Sequence, residues 1–496
     1  MNQNKTPLLI HTVTVSLLFI CSLIIIPSIG FMMVDDGWRH LAMATMPNDV
    51  VSWGRVYQNS LFTDYDPWFM WHNLLRFFGQ MFGNENIYLI INVLMYFFLS
   101  LWYYLAFNKF SNMNRFFIIF LSIVLPIISF RYFNLRPEVL SGFFVLYATI
   151  YSSTIFIFFI SIMYAPFYYV YWFFMGYMGY IKLITKEFKP LLAICIAFII
   201  GTVFHLYYDF DGFIHILKLV LNNDELRGGY SVGESYPIVF SLDLINNLGS
   251  STVLIFLMVF SILLYLIFKP QNKFLQYTIL FLPLLIIQVR FYYILEPIVI
   301  AFISTFLYHL YFDIAHGRIN EILFRIKHFI DTKTLFGRLG VKFYHGLAIL
   351  IISIYGITHY IAYKELSEEL QDNFDRLVFL SEDEYKGKNI FLLNMNYEMQ
   401  IMLYQNPTAT YFPSCALGWT NINENMKDVY FRLMYSKKIG RDEFFDLVKL
   451  HNADYIILVQ YQINKYMTIN TQEFRDNGYE FYKIINGYVI FKKINS

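Results

Sequence analysis

Charge is what this chain has least of. Only 15% of its 496 residues are Asp, Glu, Lys or Arg, where a soluble protein carries about a quarter. That shortage excludes an ordinary soluble enzyme. The formal net charge is +1, so no excess of either sign points to nucleic acid or to a generally anionic partner. Cysteine is scarce too: Cys21 and Cys195 fall inside apolar runs and only Cys415 lies in a polar region, which leaves no disulfide framework and no Cys-based metal site. No small-x-small cleavage site follows the first apolar run, residues 8–30. The run is also too long for a signal-peptide core, so it is expected to remain as a membrane helix. Internal repeats and low-complexity segments are missing as well.

What is present is apolar. Hydrophobic residues make up 57% of the chain and aromatics 20%, and apolar runs recur that approach the roughly 20 residues a helix needs to cross a bilayer. Eleven spans are expected, at 8–30, 87–107, 115–131, 138–153, 154–165, 167–183, 190–208, 250–268, 274–289, 292–312 and 341–361. Pro166 marks a break, and two long helices could replace the three short ones in 138–183. The expected class is a mainly α, polytopic membrane protein.

Lysine and arginine gather at alternate span ends: Lys5; Lys109 and Arg115; Lys182, Lys186 and Lys189; Lys269 and Lys273; then Arg318 to Lys342. Positive loops favour the cytoplasmic side. The N-terminus is therefore expected inside and the C-terminus outside, with large outer loops at 31–86 and 205–249. A second domain is expected over 363–496, small, α/β and outside the membrane. There "NIFLLNM" and "ADYIILVQ" read as buried strands and "RDEFFDLVKLHN" as an amphipathic helix. Asn486-Gly487 between two alternating runs reads as a type I′ hairpin.

The residues able to carry chemistry gather beside these spans. "VDDGWRH" places Asp35, Asp36, Trp38, Arg39 and His40 at the exit of the first helix. A hydrated helix end accounts for any one of them. Adjacent carboxylates, however, repel unless they share a proton or a divalent cation such as Mg or Mn, and either arrangement suits a base that takes a proton from a hydroxyl. "DYDPWFMWHNLLRF" has the composition of an interfacial amphipathic helix carrying His72. "FNLRPEVL" sets Arg136 and Glu138 about Pro137 at a helix start, as a helix-holding pair or a functional one. His205 ends an apolar span, where a hydrogen-bonded helix end is the plainer explanation. Glu234 stands in a loop with Gly228, Gly229 and Gly233, which suit a closely approached backbone. In "IIQVRFYYILEP", Arg290 sits between apolar spans beside Tyr292 and Tyr293. Snorkelling accommodates it, and a guanidinium there is also what bidentate binding of a lipid phosphate requires.

Taken together the pattern resembles the GT-C superfamily of multi-pass glycosyltransferases, which take sugar from a polyprenyl-phosphate or polyprenyl-diphosphate carrier. The resemblance covers most of the chain in organisation and few residues in detail. "VDDGWRH" is similar to the family's first-loop acidic motif, implying that Asp35 or Asp36 is the catalytic base. "GESYP" is similar to a later acidic motif and implies a role for Glu234. "VRFYYILEP" is similar to the approach to a late span and implies that Arg290, with Tyr293, holds the carrier phosphate. The C-terminal domain has no "WWDYG"-type sequence, which argues against transfer to a peptide sequon. The resemblance implies an inverting transferase in a bacterial cytoplasmic membrane, acting on a glycan, lipid or protein acceptor outside the cytoplasm; from their own positions, His40 is expected beside the acidic pair and His72, Arg136, Glu138 and His205 in support. The alternative is a transporter or flippase of lipid-linked saccharide, which would place ionisable groups at bilayer mid-depth and often shows repeats. A non-catalytic envelope scaffold would need no acidic pair.

Overall fold

The computed structural model describes residues 8–30, 36–45, 66, 68–111, 113–133, 135–151, 153–168, 171–221, 296–301, 303–305, 308, 340–392, 404–412, 440–459 and 470–494. The expected spans 250–268 and 274–289 lie outside these residues.

The other expected spans each coincide with a helix. They are α1 (Leu8–Ile29), α4 (Ile87–Phe110), α5 (Arg115–Ile128), α6 (Glu138–Ile150), α7 (Thr154–Tyr164), α8 (Tyr171–Ile184), α9 (Phe188–Tyr208), α11 (Glu296–Thr305) and α12 (Gly340–Arg376). Three short helices fill 138–184, and a single 3-10 turn, Ala165–Phe167, forms around Pro166. Between α1 and α4 lie α2 (Asp36–Thr45) and α3 (Phe69–Phe82), and α10 (Phe210–Leu221) follows α9. Among the described residues three helices are long and apolar enough to cross a membrane: Leu8–Ile29, Asn84–Phe110 and Phe188–Tyr208. Arg115–Ile128, Glu138–Ile150 and Glu296–Thr305 are apolar but shorter, so the count of eleven spans is not reached there.

The helices are apolar on their outer faces. In α1 the buried stripe is Thr14, Leu18, Ser22, Ile26 and Ile29, while Leu9, Val13 and Ile24 are exposed. In α9, Leu192, Ile199 and Val203 point outward and a stripe of small residues, Ala193, Ala197 and Gly201, faces the bundle. Apolar surface outside and small residues between helices suit hydrocarbon rather than water. Gly201 is needed for contact, since a Cβ there would collide with Ala165.

Helix α12 joins the two parts of the molecule. Its 37 residues amount to about 55 Å at ~1.5 Å each, well beyond the ~30 Å of a hydrocarbon core. The polar stretch from Lys364 to Arg376 therefore continues as a stalk, and residue 363 falls inside an unbroken helix. Beyond it stands a five-stranded sheet in the order β2-β1-β3-β5-β4, formed by β1 (Asn389–Leu392), β2 (Thr410–Phe412), β3 (Tyr455–Val459), β4 (Tyr479–Ile485) and β5 (Tyr488–Lys493). Strands β2, β1 and β3 run parallel, and β5 and β4 complete the sheet as an antiparallel hairpin. Helices α13 (Arg441–Leu450) and α14 (Thr471–Asp476) pack against it through Phe444, Phe445 and Phe474. The hairpin turn has φ of +52° at Asn486 and +83° at Gly487, the two positive values of a type I′ turn. Asn486 also donates from Nδ2 to the carbonyl of Arg376, so the turn caps the end of the stalk. Lys483 adds ion pairs to Glu382 and Glu384, just past the stalk.

Candidate functional site

The described part of the site is built around α2, at the end of the bundle where α1 stops and α4 begins. Helix α1 ends at Gly30, with φ +88°, and a Cβ there would lie 2.6 Å from Ser367 Oγ of the stalk. Glycine is thus required twice over, by backbone conformation and by space. Tyr360 of α12 also donates its hydroxyl to the carbonyl of Ser28. Asp35 lies outside the described residues; Asp36 is the first residue of α2, and its side chain is not described.

Helix α2 is buried to a degree its polar sequence does not suggest. Residues Trp38 to Ala44 are each at most 7% exposed, Arg39 and His40 included. Trp38 stacks on Phe374 of the stalk at 5.1 Å and 16°, and meets Tyr404 of the C-terminal domain at 5.3 Å. Gln405 donates to the carbonyl of Phe374, tying that segment back to the stalk. The helix carrying Asp36 is thereby held under the C-terminal domain. On its other side Arg76 of α3 donates to the carbonyls of Ala44 and Met43, satisfying the last acceptors of α2 with a cation at the negative end of its dipole.

Helix α3 brings His72 to His40. His40 Nδ1 and His72 Nε2 are 2.9 Å apart, and His72 Nδ1 is 2.6 Å from Asp66 Oδ2. Asp66 Oδ1 accepts from the amide of Trp68 at 3.0 Å. All three side chains are buried. Trp68 roofs the line: His40 meets its ring edge-on at 5.1 Å, and the Arg39 guanidinium lies 5.4 Å from its centroid. Burial, then the neighbouring His72 and Arg39, holds the His40 imidazole well below the usual histidine range, so it is neutral.

Next along α3, Trp71 donates to the carbonyl of Leu135 at 3.1 Å. Leu135 has φ +50°, a left-handed conformation that costs a non-glycine residue roughly 1–3 kcal/mol. It directly precedes Arg136, whose Nη1 donates to Glu138 Oε1 at 2.9 Å with both side chains buried. Arg136 and Glu138 are thus paired with each other at the start of α6 and held beside the histidine line by Trp71.

His205 is used differently. Its Nε2 donates to the carbonyl of Ala165 at 2.9 Å, and its ring lies between Tyr171 and Phe213, 5.2 Å from each. It locks the end of α9 to the Pro166 turn and does not join the line. Glu234, Arg290 and Tyr293 lie outside the described residues.

Asp66 is the residue that the sequence passed over. It reads there as one acid among several in a long loop, and its spacing of six from His72 does not put the two on one face of a helix. Trp38 likewise reads as an interfacial aromatic, though it is the contact on which the C-terminal domain sits. Among the described residues no group of three His, Cys, Asp or Glu side chains is placed to hold a metal ion.

No protein-family profile matches the chain, and no curated protein does. Solved structures do resemble it. The archaeal oligosaccharyltransferase AglB of Archaeoglobus fulgidus, solved with an inhibitory peptide and a dolichol-phosphate, superposes with a TM-score of 0.56 at 11% identity, over 98% of this chain and 74% of AglB. An Archaeoglobus fulgidus oligosaccharyltransferase solved with Zn and sulfate gives 0.49 at 10% identity, over 97% and 73%. At 11% identity the likeness to AglB is one of fold, and it runs over nearly the whole of this chain.

Proposed function

We propose that the chain is a membrane glycosyltransferase that moves a sugar from a polyprenyl-phosphate-type carrier to an acceptor outside the cytoplasm. The observation that carries this reading is the burial of α2. A short helix that opens on an acidic pair is clamped between the bundle and the C-terminal domain by Trp38, Phe374 and Tyr404, in a chain with the fold of AglB. A lipid donor reaching the bundle from its side and an acceptor arriving under the domain would meet at that helix. The dolichol-phosphate bound to AglB supports a lipid-linked donor, and its peptide keeps protein among the acceptor classes.

In this reading one of Asp35 and Asp36 takes the acceptor's hydroxyl proton. The oxygen attacks the anomeric carbon and the bond to the carrier phosphate breaks, leaving the polyprenyl phosphate and an inverted glycosidic bond. Arg290, with Tyr293, holds the leaving phosphate and offsets its growing charge, and Glu234 and His40 are supporting candidates. A divalent cation, if used, would be held by Asp35 and Asp36 and would relieve their repulsion. His72 is not available for that purpose, since both of its ring nitrogens are engaged. With the N-terminus inside, the lysine-rich loops face the cytoplasm.

The test is reconstitution of the full chain in proteoliposomes with a radiolabelled sugar on undecaprenyl phosphate. The expected result is label leaving the lipid for a water-soluble or protein-bound product. Intact labelled lipid crossing the bilayer without cleavage would identify a flippase and overturn the proposal.

A further inference from the structure

Glu296 is the first described residue of α11, ahead of Pro297 and the apolar run 298–301. It is 6% exposed, and among the described residues it has neither a hydrogen bond nor an ion pair. An ionisable side chain inside a membrane bundle marks a functional site by default. The groups around this one are hydroxyls. Tyr103 of α4, Tyr132 of the 3-10 helix Phe130–Phe133 and Tyr363 of α12 all stand close enough to feel its charge. Tyr363 donates to the carbonyl of Ile128, and the Tyr132 hydroxyl is packed against Gly142, where a Cβ would collide with it. Tyr103 is different. Its hydroxyl lies beside that of Ser129 without meeting it in hydrogen-bonding geometry. Both side chains are fully buried, and neither oxygen has a hydrogen-bond partner. Buried polar atoms are almost always bonded, so two unbonded hydroxyls near an unbonded carboxyl group call for a ligand.

Helix α5 fixes the sign of that ligand. It stops at Ile128 with Ser129 as its C-cap, so the negative end of its dipole lies at Ser129. Pro126 in its last turn has no N–H to give, which leaves the carbonyl of Ser122 without its helical donor. A carboxylate, a helix C-terminus and hydroxyl lone pairs all favour a cation. Charge balance then narrows the class. With one carboxylate, a monovalent ion leaves the pocket neutral. A divalent ion would leave a net positive charge in a poorly hydrated place, and magnesium gives up its waters reluctantly. A proton would neutralise Glu296 through one of its oxygens, whereas an alkali ion draws on the lone pairs of several oxygens at once.

We propose that Glu296, Tyr103 Oη and Ser129 Oγ form a site for a monovalent alkali cation, sodium or potassium, at the C-terminal end of α5. Helices that end inside a bundle, with their carbonyl ends turned to the ion, are a known way for membrane proteins to hold sodium. The ion joins α4, α5 and α11. Tyr363 ties α12 to the same end of α5 through Ile128, so the helix that continues as the stalk is anchored beside it. Only ion coordination is involved, and no covalent bond changes.

The experiment uses the full chain in nanodiscs of zwitterionic lipid at constant ionic strength, with choline chloride replaced stepwise by sodium or potassium chloride. The unfolding temperature should climb with the logarithm of the concentration of one alkali ion, as binding to the folded state requires. The chain should also retain radioactive sodium, or rubidium standing in for potassium. The ion that does both is the ligand. In Glu296→Gln both responses should vanish, and in choline this variant should be at least as stable as the wild type, since an amide needs no counter-ion. Tyr103→Phe keeps the ring packed and removes one oxygen; its affinity for the ion should fall ~10-fold. Equal unfolding temperatures of the wild type in sodium, potassium and choline, with no label retained, overturn the proposal. A carboxylic-acid band in the infrared spectrum that disappears in Glu296→Gln would then show that a proton holds the position. An ion response of the same size in the wild type and both variants also overturns it, because the ion then binds elsewhere. Should Glu296→Gln not fold, the affinity of Tyr103→Phe decides.

Discussion

Two corners of the bundle bury histidine, and they do so to different ends. At the α8–α9 corner His205 is closed off: one nitrogen is spent on a backbone carbonyl and the ring is stacked on both faces. At the α2–α3 corner His40 and His72 are linked to each other and to Asp66, beside an arginine and two tryptophans. Both corners stand at the end of an apolar segment and both are nearly inaccessible to solvent. Burial therefore does not separate packing from chemistry here. The partners do: a carbonyl holds His205, whereas a second imidazole backed by a carboxylate holds His40.

The largest effect expected from breaking this contrast is in His72→Phe. The ring is replaced but Asp66 loses its partner, and removing one member of a buried charged or hydrogen-bonded pair costs about 3–5 kcal/mol. Thermal unfolding in detergent should register the loss, and a cost under about 1 kcal/mol would mean that Asp66 is hydrated and the line is not sealed. Trp38→Ala comes next. Truncating a buried tryptophan costs about 3–5 kcal/mol, here spread between α2 and its contacts with Phe374 and Tyr404. Limited proteolysis should release the C-terminal domain sooner in this variant, whereas unchanged cleavage would detach that domain from the site.

A third histidine sharpens the comparison. His451 follows α13 in the C-terminal domain, and burial pushes its imidazole down to about 3. Its folded value lies below the unfolded one, so the unfolded chain binds the extra proton. Stability is therefore full above about pH 6.5 and declines as the pH falls toward 3. By pH 5 the loss is up to roughly 2 kcal/mol, at ~1.4 kcal/mol per pH unit. His40 shifts in the same direction, so the His451 share is the part of the slope that vanishes in His451→Gln. An equal slope in that variant would assign the acid sensitivity elsewhere. The smallest effect belongs to His205→Phe, which keeps the stacking and loses one hydrogen bond, worth about 1 kcal/mol. Its transfer rate should equal that of wild type; a large drop would move His205 into the site.

The sequence made the C-terminal sheet most legible. The hairpin at Asn486-Gly487, the strands at Asn389 and Tyr455 and the helix from Arg441 each follow from short-range patterns, and all four form. The short strand Thr410–Phe412 and helix α14 give too little periodicity to read. In the bundle the helices fall where apolar runs place them, but their lengths do not all reach a full span, because the 3-10 helices Phe130–Phe133 and Ala165–Phe167 interrupt the runs. At the site, the pairing of Arg136 with Glu138 is local and visible in sequence. The meeting of His40 with His72 is not, because 32 residues separate them and only the packing of α2 on α3 brings them together. Asp66 is harder still, since its role depends on a turn that aims one oxygen at Trp68 N and the other at His72.

The most direct test of the glycosyltransferase reading is sugar release from undecaprenyl phosphate by the wild type and by the Asp35→Asn, Asp36→Asn double variant, in the same proteoliposomes. Asparagine keeps the shape and removes the base, which typically costs 10²–10⁴-fold, or about 3–5 kcal/mol in barrier. A loss in that range is expected, in a folded variant that still binds the carrier. Transfer by the double variant at close to the wild-type rate would contradict a catalytic role for the acidic pair.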